Sequence, residues 1–153
     1  MEEKPQLTEL EKTEELQKKF ELERDEHTAK ITKLIKLIGD LTTISDAQVL
    51  MYSYKHEYVD KITKYRPILY RKKSKDAEFK KSRFEFYKTK HDVRLDYKEL
   101  NEYINADMAL RIRQTELVDN QIKYFEECLD TVNQLGFAIK NKISIEEFIF
   151  KNK

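Results

Sequence analysis

The stretch YKELNEYINADMALRIRQTELVDNQIKYFEECLDTVNQL, residues 97–135, decides the fold. Ile104, Met108, Ile112, Thr115, Val118, Ile122, Phe125, Leu129, Val132 and Leu135 recur at steps of three and four. That period puts them on one stripe of a long helix. Neither glycine nor proline interrupts it, and Gly136 follows as a natural C-cap. Ser144 with Glu147 reads as a capping box opening a short terminal helix that carries Ile145, Phe148, Ile149 and Phe150. Such an apolar ending predicts docking, on its own chain or on a neighbouring copy.

Upstream, residues 6–38 predict another long helix. Leu10, Thr13, Gln17, Phe20, His27, Ile31, Leu34, Ile38 and Leu41 approach coiled-coil spacing, and Gly39 is placed to end it. Ser45 and Gln48 form a capping box before a helix from Asp46 to about Tyr65, with Leu50, Tyr54, Tyr58 and Ile62 on one face. Pro67 predicts a kink or break, followed by a basic helix from Ile68 to about Ser82. Residues 83–97 alternate. Phe84 and Phe86 lie between polar neighbours, and so do Val93, Leu95 and Tyr97. Period two favours a small β-hairpin over 83–97, with a continuous helix as the alternative.

The 153 residues include two glycines and two prolines, too few for the turns of a sandwich or barrel. Only 39% are hydrophobic and 39% are charged, unlike a compact globular core. Yet 11% are aromatic, too many for a disordered chain. The expected class is mainly α: long helices packed as coiled-coil-like hairpins, elongated and completed by self-association. The reading divides the chain into an acidic N-terminal helical extension (1–45), a basic aromatic-rich region (46–98) and a C-terminal helical oligomerisation region (99–153).

The net charge of +1 conceals a strong asymmetry. Residues 1–26 carry net −5, whereas residues 52–91 carry thirteen bases against five acids and nine of the seventeen aromatics. Interleaved bases and aromatics suit single-stranded nucleic acid, since cations neutralise phosphates and aromatic faces stack on unpaired bases. On composition alone a solvated helix face explains the lysines equally well.

Other chemistries lack their residues. Gly39 and Gly136 stand alone, so no phosphate loop exists. One cysteine and three histidines make no zinc spacing, and no histidine follows a glutamate at three residues. Glu23 and His27 at i,i+4 read as a solvated pair or seam histidine before a metal site. Cys128, beside the apolar stripe, reads as a buried thiol. No catalytic residues, metal or cofactor are expected. The polar N-terminus is no signal peptide, no apolar run approaches the roughly 20 residues of a membrane span, and a cytoplasmic protein is expected. The interspersed acids Glu57, Asp60, Asp76, Glu78 and Glu85 argue against a membrane surface.

Three stretches resemble the UvsY family of phage recombination mediators. Val49-Leu50-Met51-Tyr52-Ser53 looks like the start of its basic region. Lys81-Ser82-Arg83-Phe84-Glu85-Phe86-Tyr87 looks like its DNA-binding motif. Leu129-Asp130 leads into Gly136-Phe137-Ala138-Ile139-Lys140, with Phe148 at the family's spacing, and Ala106-Asp107 with Leu110 adds a weaker match. The likeness covers about residues 47–150 and departs at Lys88-Thr89-Lys90-His91, where the family is glycine-rich.

The resemblance implies a non-catalytic mediator that binds single-stranded DNA, displaces the phage single-stranded-DNA-binding protein and loads a RecA-like, UvsX-like recombinase. It further implies a homo-oligomeric ring of about six or seven copies. By this likeness Lys81 and Arg83 contact phosphates, joined by Lys80, Phe84, Phe86, Tyr87, Lys88 and Lys90 as DNA-binding residues. Gly136, Phe137, Ile139, Phe148 and Ile149 belong to self-association. In a helix Lys81 and Arg83 point about 200° apart, whereas in a strand they share a face, so the hairpin better suits a joint role. The competing reading is a coiled-coil adaptor or assembly scaffold without nucleic acid. It leaves the concentration of bases and aromatics in residues 52–91 unexplained.

Overall fold

The computed structural model describes residues 8–89 and 95–152. Three long helices pack against each other: α1 (Glu9–Ile38), α2 (Ile44–Thr89) and α3 (Tyr97–Lys151). A 3-10 turn at Leu41–Thr43 joins the first two. No strand occurs among the described residues. The mainly helical expectation therefore holds, and four local expectations change.

The first is the hairpin over 83–97. Residues 83–89 are the last turns of α2, and α3 begins at Tyr97. The alternation of Phe84 and Phe86 reflects two flanks of one helix rather than two faces of a strand. The second is the break at Pro67, which lies inside α2. Proline removes the bond to the Thr63 carbonyl. Both residues are exposed, so water can satisfy that carbonyl, while buried Ile62, Tyr65 and Leu69 hold the helix on course. The third is Gly136 as a C-cap. α3 runs through it, and no glycine has positive φ. A Cβ there would meet the Met51 sulfur at 3.3 Å, so the residue serves close helix approach. The fourth is the helix starts. α2 starts at Ile44, so Ser45 falls in its first turn rather than capping it, whereas Ser144 lies well inside α3 and opens no separate helix.

The reciprocal caps stand elsewhere. Glu11 N–H donates to Thr8 Oγ1 (3.2 Å) while Thr8 N–H donates to Glu11 Oε2 (2.7 Å). Glu99 N–H donates to Asp96 Oδ1 (2.8 Å) and Asp96 N–H to Glu99 Oε2 (3.0 Å). Each box satisfies donors at a helix start that the helix itself leaves open. α1 ends before Gly39 as its sequence predicts, and Asp40 caps the 3-10 turn through Thr42 N–H.

The chain forms two compact units, Met1–Phe20 with Tyr65–Asn120, and Glu21–Lys64 with Gln121–Lys153. In the second, His27 lies edge-on to Tyr58 and Phe125, with ring centroids 5.3 and 5.1 Å away. Leu34, Val132 and Ile139 are also fully buried. A polar layer accompanies them: Arg24 Nε donates to Gln121 Oε1 (2.8 Å), and Gln121 Nε2 donates to Glu23 Oε2 (2.7 Å). Fully buried Gln121 thus has its amide satisfied at both ends, a device that fixes helix register. Lys142 donates to the carbonyls of Ile38 (3.2 Å) and Gly39 (2.5 Å), answering open acceptors at the end of α1.

Buried α1 positions recur at seven-residue steps: Thr13, Phe20, His27 and Leu34. That is a coiled-coil seam, and it includes the threonine and histidine that hydrophobicity alone would pass over.

Candidate nucleic-acid interface

The first unit contains the basic half of α2. Its inward residues follow steps of three and four: Tyr65, Leu69, Lys72, Asp76, Phe79, Arg83 and Tyr87. After Leu69 the seam becomes polar and half-buried, and each group finds a partner on α3. Lys72 Nζ donates to Gln114 Oε1 (2.9 Å). Asp76 accepts from Thr115 Oγ1 (2.6 Å) and pairs with Arg111 (3.4 Å). The Arg111 guanidinium lies 4.4 Å from the Phe79 ring. Phe79, Tyr87 and Leu95 pack on a small core of Leu100, Ile104 and Met108.

Arg83 is the centre of this seam. Its Nε donates to Asp107 Oδ2 (2.5 Å), which also accepts from Tyr87 OH (2.8 Å). Arg83 Nη2 donates to Tyr87 OH (3.1 Å), and its guanidinium lies over the Phe86 and Tyr87 rings at 4.5 and 4.9 Å. The bonds to Tyr87 and Asp107 push its pKa further up. Its charge is thus balanced within the fold.

The cations that face solvent lie beside this seam. Arg66, Tyr70, Lys73, Ala77, Lys80, Lys81, Phe84 and Lys88 follow one another at helical steps along a single exposed flank of α2. The flank spans about 33 Å at 1.5 Å per residue. It contains no acid, because Asp76 points into the seam and Glu78 and Glu85 fall on the outer ridge. Tyr70 is 68% exposed and Phe84 38%, so both offer ring surface to solvent. Lys88 Nζ lies 5.7 Å from the Phe84 ring.

Among the residues singled out from sequence, Lys80, Lys81, Phe84 and Lys88 come together on this flank. Arg83 and Tyr87 lie in the seam, and Phe86 lies on the opposite flank. Lys81 and Arg83 therefore diverge by about 200°, and the shared face expected of a strand does not form. Lys90 lies outside the described residues. Arg66, Tyr70 and Lys73 were not singled out. The expected break at Pro67 cut off Arg66, and the expected helix end near Ser82 parted Tyr70 and Lys73 from Phe84 and Lys88.

In the second unit Gly136 is half-buried against Met51 and Ile139 is fully buried, while Phe137, Phe148 and Ile149 are exposed. Glu26, His27 and Glu57 converge closely enough to suit a metal, but the Lys30 ammonium bridges the two carboxylates at 2.8 and 2.9 Å. Glu23, weighed with His27 as a ligand pair, instead pairs with Lys61. Burial, followed by the nearby Lys30 charge, pushes the His27 pKa down, so the ring is held neutral. Burial likewise pushes the Cys128 thiol up, away from the reactive thiolate.

No helix among the described residues is long and apolar enough to cross a membrane. A family model described as "Recombination, repair and ssDNA binding protein UvsY" matches residues 38–150. No curated protein and no solved structure gives a significant match.

Proposed function

Because the chain belongs to the UvsY family of recombination, repair and single-stranded-DNA-binding proteins, we propose that it is a non-catalytic recombination mediator whose strand-binding surface is the Arg66–Lys88 flank of α2. The supporting observation is the flank itself: cations at helical steps, two exposed aromatics among them and no acid. Lys73, Lys80, Lys81 and Lys88 meet phosphates and release counterions. Tyr70 and Phe84 stack on bases, which a duplex keeps covered, so the surface prefers a single strand. Arg83 is a positioning residue. Its pairing with Asp107 and Tyr87 fixes the end of α2 and the direction of Lys81 and Phe84.

One flank with few phosphate contacts holds a strand weakly. Self-association through exposed Phe148 and Ile149 into a ring of about six or seven copies repeats the flank, and later contacts become effectively intramolecular. A strand held over many copies is withdrawn from the single-stranded-DNA-binding protein and presented to a RecA-like recombinase. This role places the protein in the cytoplasm, with the recombining DNA.

The test is anisotropy of a labelled oligo-dT strand at several salt concentrations with a duplex control, followed by recombinase filament assembly on DNA already coated by the single-stranded-DNA-binding protein. Strand-selective binding with a steep salt slope and faster filament assembly are expected. No binding at low salt overturns the reading in favour of a scaffold.

A further inference from the structure

A groove of about 420 Å³ runs between α2 and α3 in the second unit. At its base Gly136 carries no side chain, and a Cβ there would lie 3.3 Å from the Met51 sulfur, so the two helices approach closely. Tyr52 from α2 and Phe137 from α3 line the groove, yet are 67% and 66% exposed. Two large rings left in water at one depression are not serving the core. Lys55 and Lys140 also line it, with Lys140 Nζ 5.9 Å from the Phe137 ring, and no acid does. Gln48 and Asn133 add side-chain amides, each with donors and an acceptor.

This set has the chemistry of a nucleotide. The rings match the two faces of a base, the amides match its edge and the lysines match phosphates. An acidic peptide would also satisfy the lysines and the amides, but two exposed rings at one groove suit the flat faces of a base. We propose that the groove holds an unpaired base of a single strand between Tyr52 and Phe137, with flanking phosphates on Lys55 and Lys140. The proposal rests on the reading that this protein binds single-stranded DNA, but it uses residues of the other unit from the α2 flank.

The full chain is irradiated with oligo-dT carrying 4-thiothymidine, and adducts are mapped by mass spectrometry. In parallel, strand affinity is measured for Tyr52→Ala with Phe137→Ala, and for the rim pair Lys55→Gln with Lys140→Gln. Adducts on peptides bearing Tyr52 or Phe137 are expected. Each ring removed should weaken binding about tenfold, and the rim pair should flatten the salt slope by about 1.4. If the double aromatic variant melts early by circular dichroism, the rim pair and the adduct map decide. Adducts confined to residues 66–88, with the groove variants binding like wild type, overturn the groove and leave the α2 flank standing. A wild-type protein that binds no strand overturns both. A labelled acidic peptide that binds wild type and is lost in the groove variants, while strand affinity is unchanged, makes this a peptide site and also overturns the proposal.

Discussion

Replacing Lys73, Lys80 and Lys81 together by Gln separates the solvent-facing cations of α2 from Arg83. All three lysines are exposed on one flank. Surface substitutions of this kind change stability little, within about 0.5 kcal/mol each. Their effect should fall on DNA. A single strand loses about 0.7 in salt slope for each phosphate contact removed, so the triple variant should flatten log K against log salt by about 2. Arg83→Ala should behave in the opposite way. It removes the cation that Asp107 and Tyr87 share, leaving those two bonded to each other, and uncovers the Phe86 and Tyr87 rings. The melting temperature should drop while the salt slope stays near wild type. The assay is oligo-dT anisotropy from low to moderate salt, paired with thermal melts of the same samples. A triple variant with the wild-type slope refutes the flank. An Arg83→Ala protein with an unchanged melt and a reduced slope refutes the seam assignment, because Arg83 would then be a phosphate contact.

Three further outcomes follow from the packing. His27 is held neutral by burial, so its folded pKa lies below the usual value near 6.5. The unfolded chain takes up that proton first. Stability should therefore be fully present above pH 6.5 and fall below it, by at most about 1.4 kcal/mol per pH unit for this group. His27→Leu should remove that component from denaturant melts taken between pH 7 and pH 5. Pro67→Ala should restore the hydrogen bond to the Thr63 carbonyl in a helix interior, where proline costs about 3 kcal/mol relative to alanine. A rise in melting temperature is expected, and no change or a fall would refute this account of Pro67. The Tyr58 hydroxyl is buried with no hydrogen-bond partner among the described residues, and burial pushes its pKa up. Tyr58→Phe should be neutral or stabilising by about 1 kcal/mol in urea unfolding, and a loss larger than that would reveal a partner.

The helical class and most of the core were legible in the sequence because they depend on periodicity. Ile104, Met108, Val118, Ile122, Phe125 and Val132 on α3 are buried where the stripe places them. Thr115, Leu129 and Leu135 are half-buried, and Ile112 is 42% exposed. Local signals that compete with tertiary packing were less readable. Ser144, Gly136 and Pro67 each carry the mark of a helix end, yet all three lie inside helices, while Ser45 does mark the start of α2 to within a residue. A stop signal costs one to a few kcal/mol, and a long packed seam outweighs it.

For the candidate site, the sequence by itself determined the concentration of bases and aromatics in residues 52–91, since composition needs no partner. Only the tertiary structure decided which of them face solvent. Arg83 stands two residues from Lys81 and reads identically along the chain. The approach of Asp107 from α3, with Tyr87 one turn beyond Arg83, turns it into a seam residue. Lys81, on the other side of the helix, is exposed. The same separation hides the groove, because Tyr52 and Phe137 line it from helices far apart in sequence, beside the close contact of Gly136 with Met51. A chain's pattern specifies which side of each helix is apolar, whereas the charge left over for a ligand depends on which residues of other helices approach it.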